Sequence, residues 1–312
     1  MKRVALILTA VVALAQSGSY QVAPFGELPA GLEWGAVSSV TFHNGHVFAL
    51  RRAAPNVVEM TPDGKVVKSW GDNSLYSVAH SIDFDKDGNI WTTDSADHVV
   101  YKFSPEGQLL LTLGKRKVAG DDTSTDLFNR PSDVAFAPNG NVYITDGYVN
   151  SRIVVFDKNG KFLKIIGGKK GAGPGEFNLP HAIVFDSKGR MLIADRENER
   201  IVIMDQDGKW LGEWKGLSKP SGLAIAADDT LYVGDVDAST VTIAHDGKVV
   251  GWVTSGGFGH WVNLSLAQGY VPKELASDVR SGAFEIEILG ERRPATVLVD
   301  PPFDPPIFGA LY

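Results

Sequence analysis

The 312-residue chain contains no cysteine, which excludes disulfide scaffolds and thiolate metal or redox centres. Basic residues are scarce beside acidic ones: 30 Lys and Arg stand against 37 Asp and Glu, a net charge of -7. That balance removes the broad positive surface that nonspecific phosphate contact needs, so nucleic acid is not an expected partner. Long apolar runs are missing too. The stretch from Val4 to Ala15 falls short of the roughly 20 residues of a spanning helix. No G-x-S-x-G nucleophile elbow occurs, and GGKKGAGPGEF (167–177) leads into neither GKS, GKT nor a helix-forming run, so it reads as a connection rather than a phosphate loop.

What is present points to a folded chain rich in tight turns: 34 Gly, 16 Pro and 7 Trp, with 44% apolar and 21% charged residues. Lys2 and Arg3 precede the first apolar run, and Ala13-Leu14-Ala15 offers the small residues that a signal peptidase accepts. This pattern predicts a signal peptide over 1–15 with cleavage before Gln16. The mature chain is then expected in the periplasm or secreted, a monomer with no membrane span. A large β core can stand there without disulfides.

A repeat organises most of the rest. HSIDFDKDGNIWTTD (80–94), SDVAFAPNGNVYITD (132–146), HAIVFDSKGRMLIAD (181–195) and SGLAIAADDTLYVGD (221–235) each run fifteen residues from His or Ser to Asp. Alternating apolar residues give a strand, an Asp/Asn/Gly cluster turns the chain, and a β-rich segment returns it. RIVVFD (152–157), KNGK (158–161) and FLKIIG (162–167) illustrate the third strand, turn and fourth strand that follow. Four antiparallel strands per unit make a propeller blade. A weaker copy runs through SVTFHNGHVFALR (39–51) and NVVEMTPDGKVVKSWG (56–71), and a further one starts at His260. Starts near 38, 80, 132, 181, 221 and 260 are about 40–50 residues apart, as blades are. The expected fold is an all-β, six-bladed propeller: blades one to five over 16–247, and a segment over 248–312 that is a sixth blade or a small barrel.

In such a blade the start of the first strand and the loop after the second share one face. His80, His181 and His260 open first strands, and Arg51, Tyr148 and Arg196 lie at or just past the ends of second strands. All six are expected around one mouth of the channel. Asp94, Asp146, Asp195 and Asp235 recur at one blade position, which marks them as holders of loop backbone. Where Ser132 and Ser221 open blades three and five, His opens two, four and six. Three imidazoles on alternate blades suit a zinc ion with an open position; the same ring also admits a purely structural role.

The strings AHSIDFDKDGNIWTTD (79–94), DGYVNSRIVVFDKNGKF (146–162), FNLPHAIVFD (177–186) and ADRENERI (194–201) resemble the peptidyl-α-hydroxyglycine α-amidating lyases among the NHL-repeat propellers, over roughly residues 35–245. The resemblance implies cleavage of a peptide or acyl chain ending in α-hydroxyglycine into an amide and glyoxylate. It also implies zinc on His80, His181 and a third His, here His260, with Tyr148 as base and Arg196 and Arg51 binding substrate. A structural calcium belongs to that family as well, but there Asp follows the blade-six His, and here Trp261 follows His260. The segments 250–276 and 284–305, EIEILGERRPATVL above all, resemble instead the carboxy-terminal barrel of glycine-cleavage aminomethyltransferases and dimethylglycine or sarcosine dehydrogenases. The folate-binding domain of those enzymes has no counterpart, so methyl transfer is not expected. Two further readings stay open: a noncatalytic propeller that binds a peptide, glycan or protein, and a calcium-dependent lactonase-like hydrolase, which would need carboxylates where His stands.

Overall fold

A computed structural model describes residues 6–9, 26, 28–72, 74–238, 240–245, 248–259, 264–270, 284–288 and 291–298, the strands at 6–9 and beyond 247 as backbone alone. The chain is an all-β propeller, and it divides into two compact units, Pro24–Leu223 and Met1–Ala23 with Ala224–Tyr312.

Numbering from β1 (Leu6–Thr9), which belongs to the second unit, the first unit holds four blades. Blade one is β2 (Val37–His43), β3 (His46–Arg51), β4 (Val57–Met60) and β5 (Val66–Trp70); blade two is β6 (Ala79–Phe84), β7 (Ile90–Asp94), β8 (Val99–Phe103) and β9 (Leu109–Gly114). Blade three is β10 (Asp133–Phe136), β11 (Val142–Asp146), β12 (Arg152–Phe156) and β13 (Phe162–Gly167); blade four is β14 (Pro180–Phe185), β15 (Met191–Asp195), β16 (Arg200–Met204) and β17 (Trp210–Lys215). Each is a four-stranded antiparallel sheet in chain order, and the first strands lie side by side, β2 against β6, β6 against β10 and β10 against β14.

Burial explains the sequence pattern. The middle strands β11, β12, β15 and β16 are buried on both faces, so they read as unbroken apolar runs such as RIVVF and RIVIM. Their side chains fill the spaces between blades. Tyr143, Ile153 and Phe177 pack with Ile193 and Val202, while Trp91, Val100 and Phe128 pack with Ile144 and Val154. Each such side chain contributes about 1.5–3 kcal/mol by leaving water. Four turns share one construction: Asp85, Asp157, Asp186 and Asp205 each accept backbone N–H bonds from two and four residues on. The glycine three residues after each Asp has φ between 72° and 86°, a conformation that costs glycine nothing.

The recurrent acids hold loops, as the repeat implies. Asp94 accepts from the backbone of Ser77, Val78, Ala96 and Asp97, Asp146 from Asn129, and Asp195 from Asn178. Asp146 and Asp195 also pair with the buried Arg152 and Arg200.

β18 (Pro220–Ile225), which straddles the division between the units, repeats with β19 (Leu231–Asp235), β20 (Thr240–His245) and β21 (Lys248–Gly259) of the second unit the four-strand pattern of a fifth blade. Their sheet does not stop there. It continues through β22 (Leu264–Tyr270) to β1, β24 (Glu291–Leu298) and β23 (Phe284–Ile288). Among the described residues the tail forms no separate four-stranded sheet. The division between units at 223/224 falls inside the fifth repeat, upstream of the boundary expected at 247/248.

Candidate functional site

His80 and His181 sit at equivalent irregularities of their blades. In β6, Ala79 pairs with Asp94 and Ser81 with Thr93; in β14, Pro180 pairs with Asp195 and Ala182 with Ala194. Each histidine is the extra residue of a β-bulge, a device that re-aims a side chain out of the ladder. The carbonyl that opens the next blade fixes each ring. His80 Nδ1 lies 2.6 Å from Ser132 O and His181 Nδ1 lies 2.7 Å from Ser221 O. A carbonyl only accepts, so both Nδ1 atoms carry hydrogen and both Nε2 atoms present lone pairs. The two serines that break the His pattern thus hold the imidazoles with their backbone.

Tyr148 reaches both imidazoles from the loop after β11, its Oη 2.9 Å from His80 Nε2 and 3.0 Å from His181 Nε2. The three ring centroids stand 5.1–5.3 Å apart. Gly147 makes this approach feasible. A Cβ at that position would overlap the Pro180 carbonyl oxygen and stand 2.8 Å from its carbon. Sequence reasoning passed over Gly147, although it lies within the DGYVN string.

The trio is one hydrogen short: two lone pairs face a phenol oxygen that owns a single proton. Protonating an imidazole would supply another, but burial lowers both pKa values. His181 is pushed down to about 3 by burial and then by His80, against the pull of the Ser221 carbonyl. His80 is lowered by burial first, with Arg52, Arg130 and Arg196 adding to it and the Ser132 carbonyl opposing. A cation or a ligand hydroxyl would complete the trio. Two neutral imidazoles and a phenol oxygen are a donor set that a divalent transition metal accepts. Among the described residues no three His, Cys, Asp or Glu cluster around a common point; His260 lies outside them.

The guanidiniums sort differently from the sequence expectation. Arg196, in the 3-10 turn after β15, acts on both imidazoles, and its buried Nε lacks a hydrogen-bond partner. Arg51 ends β3 at the blade position of the recurrent acids. It is buried, donates from Nη2 to Glu33 O and lies over the Trp34 ring. The blade-one charge that acts on His80 is its neighbour Arg52, which is exposed. Arg130, also unforeseen, places Cζ 5.3 Å from the centroid of the Tyr148 ring. It occupies the place in FNRPS (128–132) that Leu179 occupies in FNLPH (177–181), a break in the repeat of the kind that singled out the histidines.

Asp83 and Asp133, on β6 and β10, form an acidic pair unnoticed in the sequence. Asp133 accepts from Ser81 Oγ at 2.6 Å and Ile183 N at 3.0 Å, and Asp83 accepts from Phe84 N at 2.8 Å. Burial raises both, Asp83 to about 7 with Asp133 adding to it, and Asp133 to about 6.

Residues 122–218 match a family model described as a 6-bladed β-propeller, and residues 230–304 match the glycine cleavage T-protein C-terminal barrel domain. The chain is similar to NHL repeat-containing protein 3 of Homo sapiens, 29% identical over 80% of this chain and 75% of that one. It is 38% identical to peptidyl-glycine alpha-amidating monooxygenase B of Xenopus laevis over 62% of this chain and 24% of that one. With peptidyl-alpha-hydroxyglycine alpha-amidating lyase 2 of Drosophila melanogaster it shares 36% identity over 52% and 40%. The chain thus spans well under half of either amidating relative. A catalytically inactive virginiamycin B lyase from Staphylococcus aureus with quinupristin superposes with a TM-score of 0.54 at 18% identity, over 70% of each chain, a likeness of fold. The resemblance to NHL-repeat propellers, amidating lyases among them, is therefore present in sequence, and the tail resembles the T-protein barrel.

Proposed function

From this likeness and the geometry of the trio, we propose that the chain is a zinc-dependent lyase that cleaves peptidyl- or N-acyl-α-hydroxyglycine to an amide and glyoxylate. The observation that carries the reading is the convergence of two Nδ1-anchored imidazoles on Tyr148 Oη, at 2.9 and 3.0 Å. His80 and His181 are the zinc ligands, with His260 assigned as the third by resemblance. Zinc, when bound, supplies Lewis acidity at the substrate hydroxyl.

The chain's own residues do the rest. Arg196 and Arg52 hold the carboxylate of the hydroxyglycine by charge-assisted hydrogen bonds. Acting as a phenolate, Tyr148 Oη takes the hydroxyl proton. The O–H electron pair becomes the C=O of glyoxylate, the C–N bond breaks with its pair going to nitrogen, and the proton ends on the departing amide. Nothing is oxidised and no water is consumed. The Ser132 and Ser221 carbonyls keep both imidazoles in one tautomer throughout.

Export follows from the amino-terminal pattern, and cleavage before Gln16 removes β1 from the mature sheet. The test is zinc content and glyoxylate release by the purified protein. A His80→Ala/His181→Ala double variant should lose both. If the wild type binds no zinc and releases no glyoxylate, the chain is instead a noncatalytic propeller that binds a ligand.

A further inference from the structure

The mouth of the site carries an unpaired guanidinium that the hydroxyglycine carboxylate does not account for. Elsewhere four arginines have carboxylate partners, Arg116 with Asp97, Arg152 with Asp146, Arg190 with Asp186 and Arg200 with Asp195, while the buried Arg51 has the Glu33 carbonyl. Arg196 has Glu197 at 3.5 Å. Among the described residues neither Arg52 nor Arg130 has any carboxylate within ion-pair distance.

Arg130 is also held in place. Phe128 and Phe177 are both fully buried, Asn129 N and Asn178 N both donate to a blade acid, and Arg130 and Leu179 share φ of 65°. A left-handed backbone at a non-glycine residue costs roughly 1–2 kcal/mol. It is retained here with Arg130 N donating to His98 Nδ1 at 3.0 Å. The repeat supplies leucine at this place in blade four, so the fold does not need an arginine. The guanidinium is exposed and lies over the face of the Tyr148 ring, 5.3 Å from its centroid.

We propose that Arg130 recognises a second carboxylate on the substrate, carried by the residue that precedes the hydroxyglycine, so that the site prefers Asp or Glu there. The proposal rests on the lyase reading. If the hydroxyglycine hydroxyl meets Tyr148 Oη, the preceding Cα is about 3.8 Å further along the chain. An acidic side chain extending from it has the reach to meet a guanidinium placed over the ring. With Arg52 and Arg196 engaged by the terminal carboxylate, Arg130 is the cation left for this second charge.

The experiment compares N-acetyl-Glu-Gly with its neutral isostere N-acetyl-Gln-Gly, which keep the terminal carboxylate and lack the reactive hydroxyl. Binding to the full-length protein is measured by calorimetry at low and high salt, for the wild type, Arg130→Lys and Arg130→Leu. Arg130→Leu installs the residue that the repeat itself uses. The Glu peptide should bind the wild type about fivefold more tightly at low salt, as an exposed ion pair allows. Salt should erode that ratio, Arg130→Lys should keep part of it and Arg130→Leu should abolish it. Equal binding by the wild type, or a preference that survives Arg130→Leu, overturns the inference. Turnover of the matching α-hydroxyglycine pair separates the two readings: glyoxylate released equally from both sinks the inference alone, whereas no release and no binding sink both.

Discussion

Replacing Gly147 by alanine tests how Tyr148 is delivered to the imidazoles. The added Cβ would stand 2.8 Å from the Pro180 carbonyl carbon and overlap its oxygen, against about 3.5–4.0 Å for a relaxed carbon contact. The loop must therefore retreat from blade four by on the order of 1 Å. Tyr148 Oη begins 2.9 and 3.0 Å from its two partners, and a retreat of that size takes it beyond hydrogen-bond reach of at least one. A misplacement of about 1 Å costs on the order of 10²-fold in rate, and the overpacking costs about 1–3 kcal/mol in stability. Glyoxylate release gives the first number and urea denaturation the second. Gly212→Ala is the control, because nothing lies within 4 Å of a Cβ there. A Gly147→Ala protein within threefold of wild-type kcat/KM, at unchanged stability, would refute this account of how the base is positioned.

Arg52→Gln should raise KM for the hydroxyglycine substrate about tenfold by removing a charge-assisted contact. Arg51→Met should leave KM within twofold and stability unchanged or higher, because it exchanges a buried guanidinium whose Nε and Nη1 lack partners for an apolar chain; steady-state kinetics on the two variants decide between neighbours. Asp83→Asn should stabilise the protein at alkaline pH. Asp83 is raised to about 7 in the folded chain from an ordinary 3.8, so its protonated form contributes fully below about pH 4 and that contribution is lost as pH rises through about 7, by up to about 4 kcal/mol. Denaturation curves that coincide at pH 4 and diverge by pH 8 are the expected result; parallel curves contradict it. Asp146→Ala strands Arg152, which is 0% exposed, and should cost about 3–5 kcal/mol of unfolding free energy.

The blades were legible because they repeat the same alternation, with the Asp-x-x-Gly turn recurring in blades two to four, and recurrence told Asp94, Asp146 and Asp195 apart from the site. His80 and His181 stood out as departures from the repeat, Tyr148 and Arg196 by their places after second strands and by resemblance, and the fold brings the two imidazoles and the phenol together. The bulges that aim the two imidazoles were not legible, since one extra residue in a strand leaves no mark on composition or period. Arg52 went unnamed beside Arg51 for a related reason. At a strand end a shift of one residue exchanges buried for exposed, and the alternation around FALRR (48–52) does not say which arginine turns inward. Arg130 was within reach of the repeat argument, because FNRPS against FNLPH is the same kind of mismatch as Ser against His. Beyond residue 247 two patterns overlap, and there the tail strands extend the sheet of the fifth repeat.

The central claim is that His80 and His181 hold zinc beside Tyr148, whose Oη is the base. Its most direct test is to measure zinc and glyoxylate release together in the wild type and in Tyr148→Phe. The account predicts stoichiometric zinc in both proteins, with turnover of an N-acyl-α-hydroxyglycine lowered about 10²–10⁴-fold in the variant, the contribution expected of a positioned base. Zinc-loaded wild type that releases no glyoxylate, or a Tyr148→Phe protein as active as the wild type, would contradict it.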